Sequence, residues 1–254
     1  MWGGILKLMK IYLAGFTKNN MSLLNKVNLQ YMLVSFYKFN SVILNVFKNM
    51  DNFMLDSGAF SFMSLENKGR SIKVDWDDYV EKYATTINEF DIKLFFELDI
   101  DVVVGLKEVE RLRTKLEKLT GKKCIPVWHS FRGLDYFYKM VDEYKYISVG
   151  ASGRSDSKWT FDVRKLIFLI REAHRYGCNI HGLGFIRNSK LGYAPFDSVD
   201  STTWLGGARF NEIFRFNGSR MERTRVKNSK PTVKLAEHNL REWIKFQEYA
   251  EGHL

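Results

Sequence analysis

Phe53-Met54-Leu55-Asp56-Ser57-Gly58-Ala59-Phe60-Ser61 reads as a buried strand that halts at a carboxylate and breaks into a turn of small residues. A short apolar run closed by turn formers is the pattern of a strand covered on both faces. With residues 53–55, further β-rich runs at 10–14, 31–36, 92–99, 124–129, 146–150, 179–185 and 196–200 bring the count to eight. Amphipathic segments separate them, clearest at 76–90, 106–119, 134–144 and 161–176. In the last of these, Phe161, Leu166, Leu169, Ile170 and Ala173 form a stripe of helical period. Gly121 and Gly177 stand where helix stop signals belong.

Strand–helix alternation implies a parallel sheet in an α/β fold, and eight repeats predict a single (β/α)8 barrel of TIM type. The barrel is expected over about residues 10–210, with a basic connector and a C-terminal helix over about 211–254. The alternative is an open doubly wound sheet, but neither a GxGxxG nor a GxxxxGK[ST] phosphate loop occurs. A length of 254 residues suits one barrel, and 45% hydrophobic with 15% aromatic residues can fill its core. Only three prolines occur and no Ser/Gly/Pro-rich linker divides the chain, so one domain is expected.

Thirty-nine Lys and Arg against 29 Asp and Glu give a net charge of +10. Such an excess favours a polyanionic partner, because each phosphate contact releases counterions. Solubility or a lysine-biased composition is the plainer alternative. Cys124 and Cys178 form no CxxC pair, so neither a disulfide framework nor a cysteine-rich zinc site is expected, and no metal or cofactor is called for. No apolar run reaches the roughly 18 residues of a membrane span, and no cleavage-like leader precedes the first strand, so a soluble, cytoplasmic protein is expected.

A barrel carries its chemistry at the carboxyl ends of its strands. Those ends hold Asp56; Glu97, Asp99 and Asp101; His129; Gly150; Gly184; and Asp197 with Asp200. In Leu94-Phe95-Phe96-Glu97-Leu98-Asp99-Ile100-Asp101 the acids alternate with apolar residues, so strand geometry puts all three on one face. An ion pair with an interior Arg or Lys is the structural alternative for Glu97, and a purely structural role the alternative for His129. Arg215, Arg220, Arg223, Arg225 and Lys227 crowd one stretch in which Glu222 is the lone acid; they suit a polynucleotide or a solvated flexible connector.

Asp56-Ser57-Gly58-Ala59-Phe60-Ser61 resembles the Asp-Ser-Gly-Gly-Phe-Gln turn of the tRNA-guanine transglycosylase superfamily. Phe196-Asp197-Ser198-Val199 resembles the segment that carries its nucleophilic aspartate. Val149-Gly150 and His181-Gly182-Leu183-Gly184 are similar to its glycine-containing strands, and Leu98-Asp99 to the place where it holds an aspartate against the guanine edge. The tRNA enzymes carry a C-terminal zinc site of cysteines and a histidine; here no cysteine follows Cys178, and the chain is shorter. The compact form, with Ser198-Val199-Asp200-Ser201-Thr202-Thr203-Trp204, looks more like the phage and bacterial branch that inserts 7-deazaguanine bases into DNA.

The resemblance implies base exchange through a covalent aspartyl-glycosyl intermediate, with guanine in DNA, ahead of tRNA, replaced by a 7-deazaguanine such as preQ0. It implies proton transfer at Asp56, purine recognition at Asp99, and a base-binding surface of Ser57, Gly58, Phe60, Gly150 and Gly184; beside it, the strand-end His129 is a candidate at the pocket mouth, and Phe60 or Trp128 a candidate to stack on the base. The matched tetrad favours Asp197 as nucleophile, whereas the strand-end rule favours Asp200. The target nucleotide must be flipped or single-stranded. Such a protein would act in the cytoplasm, or in the host cytoplasm if phage-encoded. A transglycosylase acting on tRNA and a carbohydrate-active barrel with paired carboxylates are the competing activities; a binding barrel without chemistry is the non-enzymatic one.

Overall fold

The computed structural model describes residues 9–38, 52–58, 74–150, 162–185, 194–225 and 232–254. The fold is α/β of TIM type, with eight parallel strands, α-helices that among the described residues alternate with them from β3 to β7, and a long C-terminal helix. The strands are β1 (Lys10–Ala14), β2 (Met32–Ser35), β3 (Phe53–Asp56), β4 (Leu94–Phe95), β5 (Val127–Trp128), β6 (Tyr146–Gly150), β7 (Asn179–Leu183) and β8 (Ser198–Ser201). No helix among the described residues is long and apolar enough to cross a membrane. The chain groups into two compact units, Leu33–Val127 and Met1–Met32 with Trp128–Leu254.

In the Leu33–Val127 unit, β3 pairs with β4 through Met54 beside Leu94 and Leu55 beside Phe95. Helix α1 (Trp76–Glu89) starts where the Asp75 carboxylate accepts the amides of Asp77 and Asp78 at 3.0 and 3.1 Å. Its buried stripe is Val80, Tyr83, Ala84 and Ile87. The Tyr83 hydroxyl donates to the Leu55 and Phe96 carbonyls, fastening the helix to the sheet. Helix α2 (Asp101–Val104) leads into α3 (Leu106–Thr120), which ends at Gly121 in the left-handed conformation, as the stop signal requires. Arg111 grips Asp77 with two nitrogens at 3.0 and 2.7 Å, and Lys115 reaches the same carboxylate at 2.7 Å. Hydrogen bonds from Arg111 and then Lys115 hold the Asp77 carboxyl well below the usual range. A depressed pKa stabilises above the ordinary carboxylate range and loses that contribution on strong acidification. The clasp is solvent-facing, so salt screens it.

The expected strand at 92–99 is shorter than its alternation suggests. After Phe95 the backbone leaves the regular ladder, with Phe96 bridging Ile125, and Asp101 opens α2 instead of extending a strand. A common strand face for Glu97, Asp99 and Asp101 is therefore corrected. Glu97 is fully buried; it takes Arg113 of α3 at 3.0 Å and the Val127 amide at 2.8 Å, which is its structural reading.

In the other unit the order is β1-β8-β7-β6, all parallel. Helices α4 (Gly133–Glu143) and α5 (Val163–Arg175) bury apolar stripes, in α5 Leu166, Leu169, Ile170 and Ala173. A short α6 (Gly206–Phe210) follows β8. The basic stretch read as a docking segment or flexible connector is a hairpin, β9 (Glu212–Phe216) with β10 (Met221–Arg225). Its apolar side chains pack on α7 (Val233–His253): Phe214 lies 6.0 Å from Trp243 and Phe216 lies 5.7 Å from Phe246, centroid to centroid. Gln247 of α7, fully buried, donates to the Ile11 and Tyr31 carbonyls.

Replacing Glu97 by Ala takes the nearer carboxylate from the buried Arg113 guanidinium, leaving Glu110 at 3.8 Å, and removes the acceptor of the Val127 amide. The expected loss is about 3–5 kcal/mol, read as a fall in the urea midpoint.

Candidate functional site

Neighbours in parallel register share a sheet face. Tyr12 lies beside Asp200, His181 beside Ser198, and Ser148 beside His181. These polar residues, with Tyr146 two positions before Ser148, occupy one face of the β1-β8-β7-β6 sheet. Ile11, Leu13, Ile147, Val149, Ile180 and Val199 occupy the other. Burial then forces the polar face to satisfy itself.

It does so through a chain of hydrogen bonds. The Tyr146 hydroxyl meets Ser198 Oγ at 2.5 Å, and Ser198 Oγ meets Nδ1 of His181. On the far side of the ring, His181 Nε2 stands 3.4 Å from Asp200 Oδ1. The Gly184 amide donates to that same carboxylate oxygen. Gly184 has φ +69° just past β7, a conformation open to glycine at little cost, and its role here is to aim an N–H at Asp200. His181 and Ser198 are fully buried and Asp200 is 6% exposed. Hydroxyl, imidazole and carboxylate in that order imitate a hydrolase triad. A fully buried Ser198, already engaged by Tyr146, cannot meet a substrate as nucleophile.

Asp200 sits near the carboxyl end of β8, whereas Asp197 precedes its first residue. Asp197 Oδ2 accepts the Ile180 amide at 2.7 Å and contacts His174 Nε2 at 2.9 Å. Its backbone carbonyl accepts the Lys10 amide. These bonds join the amino ends of β1, β7 and β8 to the end of α5, a structural task. Asp197 thus lies at the amino end of β8, and Asp200 at the end where a barrel carries its chemistry.

Two further placements differ from expectation. Gly150 ends β6, but it does not leave a space for a base: a Cβ there would lie 2.4 Å from Cε1 of the His129 ring. His129 is buried and stacks on Phe131 at 5.3 Å with 7° between planes. Trp128, offered as a stacking platform, is 1% exposed, donates to the Gly133 carbonyl at 2.8 Å and meets Phe137 edge-on. It belongs to the core.

In the Leu33–Val127 unit, half-buried Asp56 ends β3 and its Oδ2 accepts the Gly58 amide at 3.2 Å, so the small-residue turn folds back on the carboxylate. Gly58 has φ +76°, and a Cβ would stand 2.7 Å from Ser35 Oγ and 2.8 Å from the Tyr37 amide nitrogen. Both demands explain the glycine. Ser57 is fully buried; its carbonyl accepts the Tyr79 hydroxyl at 2.6 Å. Burial first, and then the Asp56 carboxylate, pushes the Tyr79 and Tyr83 hydroxyls above their ordinary range. Asp99 is half-buried between β4 and α2. Arg215, Arg220, Arg223 and Arg225 are exposed on the hairpin; Arg223 lies 3.5 Å from Glu212 and Arg220 lies 3.7 Å from Glu222. Phe60 and Lys227 lie outside the described residues.

No protein-family model matches the chain. The chain is similar to Uncharacterized protein 306 of Sulfolobus islandicus rod-shaped virus 1, with 26% identity over 184 residues that make up 65% of this chain and 53% of the viral protein. The chain thus spans about half the length of that relative.

His181, Ser198 and Tyr146 went unread as a group in the sequence. Their signal was there: Tyr146-Ile147-Ser148-Val149, Asn179-Ile180-His181 and Ser198-Val199-Asp200 each alternate polar with β-branched apolar residues.

Gly150→Ala drives a methyl into the His129 ring and is expected to cost about 1–3 kcal/mol, with displaced His129 ring resonances in NMR spectra. Asp197→Ala removes an acceptor of two polar partners. It should lower stability by about 1.5–3 kcal/mol in thermal or urea unfolding.

Proposed function

We propose that this protein is a base-exchange transglycosylase that replaces guanine in DNA with a 7-deazaguanine base, with Asp200 as the nucleophile. The observation that carries the reading is the setting of Asp200: a buried carboxylate near the carboxyl end of β8, with Oδ1 held by the Gly184 amide and faced by His181. In a fold of TIM type that is the end where chemistry is carried. Oδ2 takes part in neither contact and is the atom to attack the sugar. Its attack on C1′ forms the C1′–O bond as the bond to the departing guanine nitrogen breaks. The second base then takes C1′ and returns Asp200 as carboxylate.

The departing base needs a proton and the entering base must lose one. The resemblance of the Asp56 turn gives that transfer to Asp56, whose half-buried carboxylate ends β3. A net charge of +10 and four exposed arginines on the β9–β10 hairpin support a polynucleotide partner. A viral relative fits a phage or viral source.

Labelled guanine or preQ0 supplied with DNA, and separately with tRNA, reads the reaction directly. Incorporation into DNA is expected, and Asp200→Asn and Asp56→Asn should each lower it by about 10³-fold or more. An adduct trapped on Asp200 supports the assignment; one mapped to Asp197, or exchange undiminished in Asp200→Asn, overturns it. Incorporation into tRNA alone would move the substrate to RNA. The paired change Arg223→Glu with Arg225→Glu should weaken DNA binding at every sequence and flatten its salt dependence by about one unit of slope for each phosphate no longer neutralised.

A further inference from the structure

We infer that His181 is the positioning residue for Asp200, and that Ser198 and Tyr146 lock its ring into the tautomer that donates to the carboxylate. The functional half of this inference rests on Asp200 being the nucleophile; the tautomer does not.

The direction of the chain follows from which groups can donate and which can accept. An ionised carboxylate only accepts, so the nitrogen facing Asp200 Oδ1, Nε2, carries the proton. A neutral imidazole then offers Nδ1 as acceptor, and the atom facing Nδ1 is Ser198 Oγ. Ser198 must spend its one hydrogen there, so toward Tyr146 it can only accept. Tyr146 is left as the donor that begins the chain. Burial above all, then the nearby Tyr12, pushes the Tyr146 hydroxyl well above its ordinary range, so it keeps its proton. The order is Tyr146 O–H to Ser198, Ser198 O–H to His181 Nδ1, and His181 Nε2–H toward Asp200. Reversing any member puts two hydrogens or two lone pairs face to face.

The ring is also held mechanically. Tyr12 meets it nearly edge-on, with centroids 6.1 Å apart and planes at 70°. Ser148 Oγ donates to the His181 carbonyl at 3.2 Å. His181, Ser198 and Ser148 have no exposed surface, so none of them can touch a nucleotide directly. What the chain can do is orient. Both donors, the Gly184 amide and His181 Nε2, meet Asp200 on Oδ1. That prevents the carboxylate from rotating and reserves Oδ2 for C1′. A group fixed before substrate arrives avoids ordering itself in the transition state.

The test uses the full chain with ¹⁵N-labelled histidine. Two-bond nitrogen–proton correlations report which ring nitrogen of His181 is protonated, with no need of activity. The expected result is the Nε2–H tautomer in the native protein and a displaced Nδ1 resonance in Ser198→Ala, which keeps the strand's shape. An Nδ1–H tautomer in the native protein overturns the inference.

Base exchange is then compared among variants. His181→Leu should lower kcat by about 10- to 100-fold with KM for the base unchanged, the scale found where an outer hydrogen-bond partner holds a working group in place. His181→Gln, whose amide can both donate to Asp200 and accept from Ser198, should recover most of that loss. A native kcat in His181→Leu, or no recovery in a folded His181→Gln, overturns the positioning role. If the native protein exchanges no base on any polymer while His181 shows the Nε2–H tautomer, the reaction assignment has failed and the hydrogen-bond chain stands.

Discussion

Alternation of side chains along a parallel strand governs the unit that holds Asp200. One face of β1, β8, β7 and β6 is mainly Ile, Leu and Val, to be covered by helices such as α5. The other face is Tyr, Ser, His and Asp. A polar group taken from water without a partner costs roughly 1–3 kcal/mol, more if it is charged, so that second face is tolerable only as a connected set. Tyr146, Ser198, His181 and Asp200 form such a set. Removing a single member leaves a neighbour without its partner, so these positions act as one.

Three buried acids show how differently the fold treats the same chemical problem. Glu97 is paired with an arginine and accepts a backbone amide. Asp197 is consumed in tying strand starts to a helix end. Asp200 is held on one oxygen by an amide and an imidazole. Asp197 and Asp200 are each held through one oxygen; what separates them is place, Asp197 before the first residue of β8 and Asp200 near its carboxyl end.

The architecture was legible because period two and period 3.6 alternate cleanly along the chain. β1 and β6 fall on their expected bounds, and the stops at Gly121 and Gly177 are both left-handed glycines. The run 92–99 misled because its acid–apolar alternation continues after the regular strand has ended at Phe95, where acids and apolar residues alike are buried: Phe96, Glu97 and Leu98 all lie inside. The position of Asp197 on its strand was hidden for a related reason. A motif of four residues says which side chains travel together, but the end of the strand on which a carboxylate lies depends on where pairing begins, and pairing begins at Ser198. Gly150 reads as empty space in a sequence, and only the fold puts a ring in it. The hairpin was hidden by its charges, since exposed arginines on a β-ribbon look in sequence like those of a flexible tether.

The contact between Gly150 and His129 has a consequence for how this chain can vary. The imidazole occupies the volume that any other residue at position 150 would fill with its Cβ. A lineage cannot therefore acquire even alanine at that strand end while keeping the histidine in its present rotamer. It cannot shrink the histidine without opening a hollow against the end of β6. The two positions are far apart in the chain, yet mutation must pass through them as a pair, in two coordinated steps, with a destabilised intermediate between.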